Sequence, residues 1–144
     1  MKRTRDLMAS LRLLSAARMG SADDAARKAV VRTMFDRLRG GIGTADDFDC
    51  VAKALNTAKI RALEIGEPRL IGDLQAGQLA MTECRRRYME LGKFGFAGPE
   101  VKSMLDAILV YEEIERASSV LQMEQAWNTS CRSVQLNMKQ GAKK

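Results

Sequence analysis

The sequence predicts an all-α fold, a single-domain bundle of about five helices with a long C-terminal helix. Three observations carry that expectation: apolar residues recur at spacings of three and four, helix start and stop signals separate these stretches, and no stretch alternates apolar with polar as a half-buried strand would. Composition agrees. Of the 144 residues 46% are apolar but only seven are aromatic, so Leu, Ile, Val, Met and Ala build the core, which suits helix against helix. A chain of this length is one domain, residues 1–144, and buries about two-thirds of the surface it exposes when unfolded.

Residues 4–19 place Leu7, Met8, Leu11 and Leu14 at helical spacing and stop at Gly20. Ser21 with Asp24 forms an S-x-x-D start signal, and the helix that follows turns Val30, Val31, Met34 and Leu38 inward before stopping at Gly40-Gly41. These two helices make a basic N-terminal pair, residues 1–39, ahead of a main bundle over 44–138. Thr44 and Asp47 repeat the start signal; Phe48, Val51, Leu55, Ala58, Ala62 and Ile65 continue the stripe of a third helix, which Gly66 ends. Pro68 opens a fourth, at a turn where its missing N–H is not needed, and Leu70, Leu74, Met81, Tyr88 and Leu91 follow in register. Gly72, Ala76, Gly77 and Ala80 inside that helix predict the close approach of another backbone. From Gly98-Pro99-Glu100 the pattern stays helical to about Met138. That is long for a globular helix, so a break is expected near Ser118-Ser119 or Asn128-Thr129-Ser130. Left unbroken, the C-terminal helix would project from the bundle, and a homodimer through it would cover the excess.

The stretch MELGKFGFAGPE, residues 89–100, invites three readings. Its GKFG has the G-x-x-G form by which KH domains clamp a nucleic-acid backbone, but that clamp sits on a sheet, and no sheet is expected. A helix-turn-helix needs a shorter turn, and the helix after this one begins acidic, which suits a phosphate-lined groove poorly. A structural corner explains each residue: Gly92 ends one helix, Phe94 and Phe96 plug helix ends, and Gly98 caps the next helix ahead of Pro99.

The stretches TADDFDCVAKALNTAKIRALEIG and RRRYMELGKFGFAGPEVKSMLDAILVYEEI resemble small, functionally unassigned all-helical proteins of proteobacterial plasmids, prophages and integrative elements, some of them labelled regulators. The resemblance rests on Asp47, Ala54, Asn56, Arg87, Tyr88, Gly95, Gly98, Pro99 and Tyr111. It covers about half the chain, carries no catalytic motif and implies a mobile-element origin.

Charge is unevenly placed. Residues 1–39 hold ten Lys and Arg against four Asp, whereas residues 40–144 hold fourteen of each sign, so the net charge of +6 belongs to the first quarter of the chain. Lys28, Arg32 and Arg39 lie along one face of the second helix, with Lys2, Arg3, Arg5 and Arg12 nearby in the chain; they are the candidate nucleic-acid contacts, and a solvated face is the alternative. Arg85-Arg86-Arg87 read as surface ion-pair partners of Glu83 and Glu90. The N-terminal stretch imitates a targeting segment, but Arg12 and Arg18 interrupt any secretory apolar run, and Asp6 counts against a transit peptide. The longest apolar run, AILVY at 107–111, is too short for integral membrane association. Cys50, Cys84 and Cys131 show no metal or redox spacing and read as buried thiols of a reducing cytoplasm.

No histidine is present, which removes the commonest general base and zinc ligand together with every Ser-His or Cys-His pair. The acidic clusters Asp46-Asp47-Asp49 and Glu112-Glu113-Glu115 read as helix starts or polar faces, without the Glu-x-x-His pairs of ferritin-like metal sites. An enzyme is therefore not expected, nor is a cofactor or metal. Trp127, with Met123 and Val134 in register, is either core or a candidate partner surface. The sequence thus predicts a non-enzymatic helical binding protein that acts on a protein partner, with nucleic-acid binding by the basic N-terminal helices as the alternative.

Overall fold

A computed structural model of the chain describes the backbone of residues 21–142 and the side chains of residues 30–132. The helix expected over 4–19, and with it Lys2, Arg3, Arg5 and Arg12, lies outside the described residues. Within them the fold is all-α, with five helices and no strand: α1 (Ser21–Arg39), α2 (Ala45–Ile65), α3 (Pro68–Leu91), α4 (Gly98–Ala117) and α5 (Val120–Ala142). α2 is the central element, packing on each of the other four, while α3 and α4 form the most extensive pair.

Local chemistry sets the helix ends. Thr44 Oγ1 accepts from the Asp47 amide at 3.2 Å and Asp47 Oδ2 accepts from the Thr44 amide at 2.9 Å, closing the capping box at the start of α2. Gly66 and Gly92 take left-handed φ of 83° and 79° and end α2 and α3, their amides donating to Ala62 and Tyr88 carbonyls. The long C-terminal pattern breaks at Ser118-Ser119, the first of the two expected places, and α5 passes through Asn128-Thr129-Ser130 without interruption. The reason is a second capping box: the Ser119 amide donates to Gln122 Oε1 at 2.8 Å, and the Gln122 amide donates to Ser119 Oγ at 3.1 Å. The signal S-x-x-Q was present in the sequence. α5 consequently turns back and packs on α2.

The core joins Val31, Phe35 and Leu38 of α1, Val51, Leu55 and Ala58 of α2, Leu74 and Met81 of α3, Met104, Ile108 and Tyr111 of α4, and Met123 and Trp127 of α5. Of the two readings open for Trp127 and its register, Met123 (0% exposed) and Trp127 (3%) take the core and not the partner surface, and the side chain of Val134 lies outside the described residues. The stripe of α3 ends sooner than expected: Cys84 is its last buried residue, and Tyr88 and Leu91 stand 39% and 72% exposed.

Of the small residues in α3, Gly77 is where another helix comes close. A Cβ built there would stand 2.5 Å from Ala107 Cβ of α4 and 3.2 Å from Leu55 Cδ1 of α2, whereas one built at Gly72 would meet nothing within 4 Å. The same substitution should therefore act with opposite sign at two positions of one helix. Gly77→Ala should destabilise by about 1–3 kcal/mol as α3 and α4 are forced apart, outweighing its gain in helix propensity. Gly72→Ala should stabilise by about 1 kcal/mol; urea denaturation of both variants measures the difference.

Candidate functional site

The corner between α3 and α4 is built as a clasp. Phe94 is 5% exposed and lies between Tyr88 (centroids 4.2 Å apart, 9° interplanar) and Phe48 (5.3 Å, 14°), so three rings stack between the start of α2 and the end of α3. Phe96 turns the other way and meets Phe35 of α1 at 5.2 Å. Arg87 donates to both carboxylate oxygens of Glu100 and to the Gly95 carbonyl, while Glu100 Oε1 also accepts from the Ala97 amide at 2.9 Å. Ala97 is thus the N-cap of α4, with Gly98 the first residue of the helix and Pro99 beside it in the first turn. The cap assigned to Gly98 from sequence belongs one residue earlier, and its work is done by a glutamate side chain.

Beside this clasp, α2 and α3 enclose a groove of two hollows. The upper one, about 330 Å³, is lined by Ala45, Phe48, Asp49, Tyr88, Met89 and Phe94. The lower one, about 240 Å³, runs over Ala52, Leu55, Met81 and Thr82 to Asn56 and Gln78, where Gln78 Nε2 donates to Asn56 Oδ1 at 2.7 Å. Phe48 and Arg85 line both hollows and so mark their junction. Sequence reading missed this groove, because it needs two helices side by side.

The basic residues fare differently from one another. Arg32, expected to face phosphates, makes a bidentate pair with Glu112 of α4, Nε to Oε2 at 2.6 Å and Nη2 to Oε1 at 2.8 Å. Glu112 (7% exposed) and Glu115 (3%) are buried, contrary to the polar face expected for them, because α1 covers the former with Arg32 and Tyr111 donates its hydroxyl to the latter at 3.1 Å. Arg37 donates to Asp47 at 3.0 Å. Arg39 is exposed and has no carboxylate partner among the described residues, and the side chain of Lys28 lies outside them. The structure does not gather these residues into one described basic row.

Cys84 is buried on α3, and burial pushes its thiol above the ordinary cysteine range, with a backbone hydrogen bond at Gly95 and the charge of Arg87 opposing only in part. No helix of the described residues is long and apolar enough to cross a membrane. Comparison of the chain with protein-family models, with curated proteins and with solved structures returned no match.

Two measurements follow from these pairings. Arg32→Ala leaves the Glu112 carboxylate buried without its partner and should cost about 1–3 kcal/mol, while Arg39→Ala should change stability by less than about 0.5 kcal/mol; thermal denaturation separates them. The Arg87 hydrogen bonds hold the Glu100 carboxyl below the ordinary glutamate value of 4.5, with the Ala97 amide adding to the effect. Such a group stabilises the fold fully above its unfolded value and loses that contribution as pH falls through the lower folded value. The stability gap between the protein and its Glu100→Gln variant should therefore be constant at neutral pH and close only as the pH drops below 4.5.

Proposed function

We propose that the chain is a non-enzymatic helical binding protein, an adaptor, inhibitor or regulator of a mobile element, acting through protein–protein contacts at the α2–α3 groove. One observation carries the reading: large apolar side chains are left in water at one end of the groove. Met89 is 73% exposed and Tyr88 39%, at the rim of hollows whose floor is apolar. Methionine and aromatic residues are enriched at protein interfaces, and clustered rather than scattered exposure of such side chains marks a surface that meets a partner. The partner would be cytoplasmic with the chain.

The alternative, a nucleic-acid-binding regulator using the basic N-terminal helices, is supported by the concentration of all six net positive charges in residues 1–39. It is weakened by the pairing of Arg32 with Glu112 and of Arg37 with Asp47, which leaves fewer cations for phosphates.

A photo-crosslinking residue placed at position 89, with position 102 on the exposed flank of α4 as control, tests the first reading in cells of the source organism. Position 89 should yield discrete adducts that position 102 does not, and equal yields at both would defeat it. Titration with duplex DNA at two salt concentrations tests the alternative, using Lys28→Ala with Arg39→Ala because Arg32→Ala would also disturb folding. Little affinity even at low salt is expected; affinity that falls steeply with salt and is lost in the double variant would instead establish the basic helices as the site.

A further inference from the structure

Three consecutive arginines on α3 meet three different fates. Arg86 is held by Glu83 at 2.8 Å and by Glu90 at 2.9 Å, and Arg87 by Glu100 in the corner clasp. Arg85 has no carboxylate partner among the described residues, and it alone of the three lines the groove, at the junction of the two hollows. The hollows on either side of it take apolar groups, so the groove as a whole is complementary to one negative charge flanked by two apolar ones. Asp49 stands on the rim of the upper hollow only and offers a place for a basic group at that end.

The walls decide what form such an occupant takes. Both are α-helices whose backbone groups bond within their own helix, and the amides of Asn56 and Gln78 at the lower end bond each other. An extended peptide would bring unpaired backbone N–H and C=O groups that these walls do not satisfy, whereas a helix brings its own already paired. Along α2 the groove runs from Ala45 to Asn56, about 16 Å, which is about three turns of helix. A nucleic-acid strand fits less well. It would bring several phosphates to a groove with one available cation and a carboxylate on its rim, and the middle ring of the aromatic stack, Phe94, already has both faces covered by Phe48 and Tyr88.

We propose that the α2–α3 groove binds an acidic amphipathic helix of a partner protein, about three turns long, whose Asp or Glu pairs with Arg85 while apolar side chains a turn before and a turn after it enter the two hollows. This deepens the protein-binding reading and rests on it. Arg85 then sets the register, because a helix displaced by one turn would bring an apolar group against the guanidinium and the acid into a hollow.

The test is a display selection of helix-forming peptides against the full chain, followed by fluorescence anisotropy of labelled winners. Selected peptides should carry Asp or Glu with Leu, Met or aromatic residues three or four positions to each side. Arg85→Glu should weaken them by about tenfold or more, and exchanging the peptide's acid for Arg should restore binding to that variant. Met89→Glu should weaken both pairings. Both substituted side chains are exposed and outside any ion pair among the described residues, so the melting temperature of each variant should match that of the protein. Peptides that lose affinity with Met89→Glu yet keep it with Arg85→Glu would overturn the charge pairing while leaving the groove as the binding surface. Peptides indifferent to both variants, or a selection that enriches none, would overturn the groove as well. A labelled oligothymidylate that binds and is lost with Arg85→Glu would overturn the class of partner.

Discussion

The contact on which the rest of this structure depends is the approach of three helices at Gly77. With hydrogen in place of a Cβ, α3 comes close enough to α4 for Ala107 to fill the space a side chain would have taken, and Leu55 of α2 closes the same point from a third direction. Intrinsic helix propensity disfavours glycine there, so the packing gained must exceed that cost. Once the three axes are locked at this distance, Met104, Leu74 and Tyr111 find fully buried positions around the contact. The groove begins beside the same contact: Leu55 also lines the lower hollow, with Phe48, Met81 and Arg85.

A second constraint comes from charge. Buried carboxylates need partners, and the fold recruits arginines for that task before any are left for function. Glu112 takes Arg32, Asp47 takes Arg37 in addition to its capping duty, and Glu100 takes Arg87 while also capping α4. A basic sequence is therefore not the same as a basic surface. What distinguishes Arg85 is that it makes no ion pair among the described residues and lines both hollows beside Phe48, so folding left its charge exposed in the groove.

Much of this was legible before the structure. The Thr44–Asp47 box, the stops at Gly66 and Gly92 and the proline-opened start at Pro68 are signals that act within four residues and appear where they were read, and the start at Pro99 lies one residue from its reading. The Ser119–Gln122 box is equally local and decides between the two expected breaks, so that ambiguity was resolvable from sequence. Phe35 follows Val31 by four and precedes Leu38 by three, yet it was left off the inner face of α1. Other errors had a different origin. Glu112 and Glu115 looked like a polar face because they stand with Glu113 in one acidic run and Arg116 of the same helix pairs with Glu113; the cation for Glu112 comes from eighty residues earlier.

By itself, then, the sequence determined the helical class, the helix boundaries to within a residue or so and most of the core stripe, because helix periodicity and capping are written over spans of three to four residues. Tertiary structure alone decided which charged and aromatic side chains remain available. Arg32 and Arg85 are chemically identical, and their neighbours in sequence pointed the wrong way, Arg85 to ion pairs and Arg32 to a free cation. One is consumed by Glu112 and the other faces a groove, because ion pairing depends on which helix faces which, and that is settled by core packing across the whole chain.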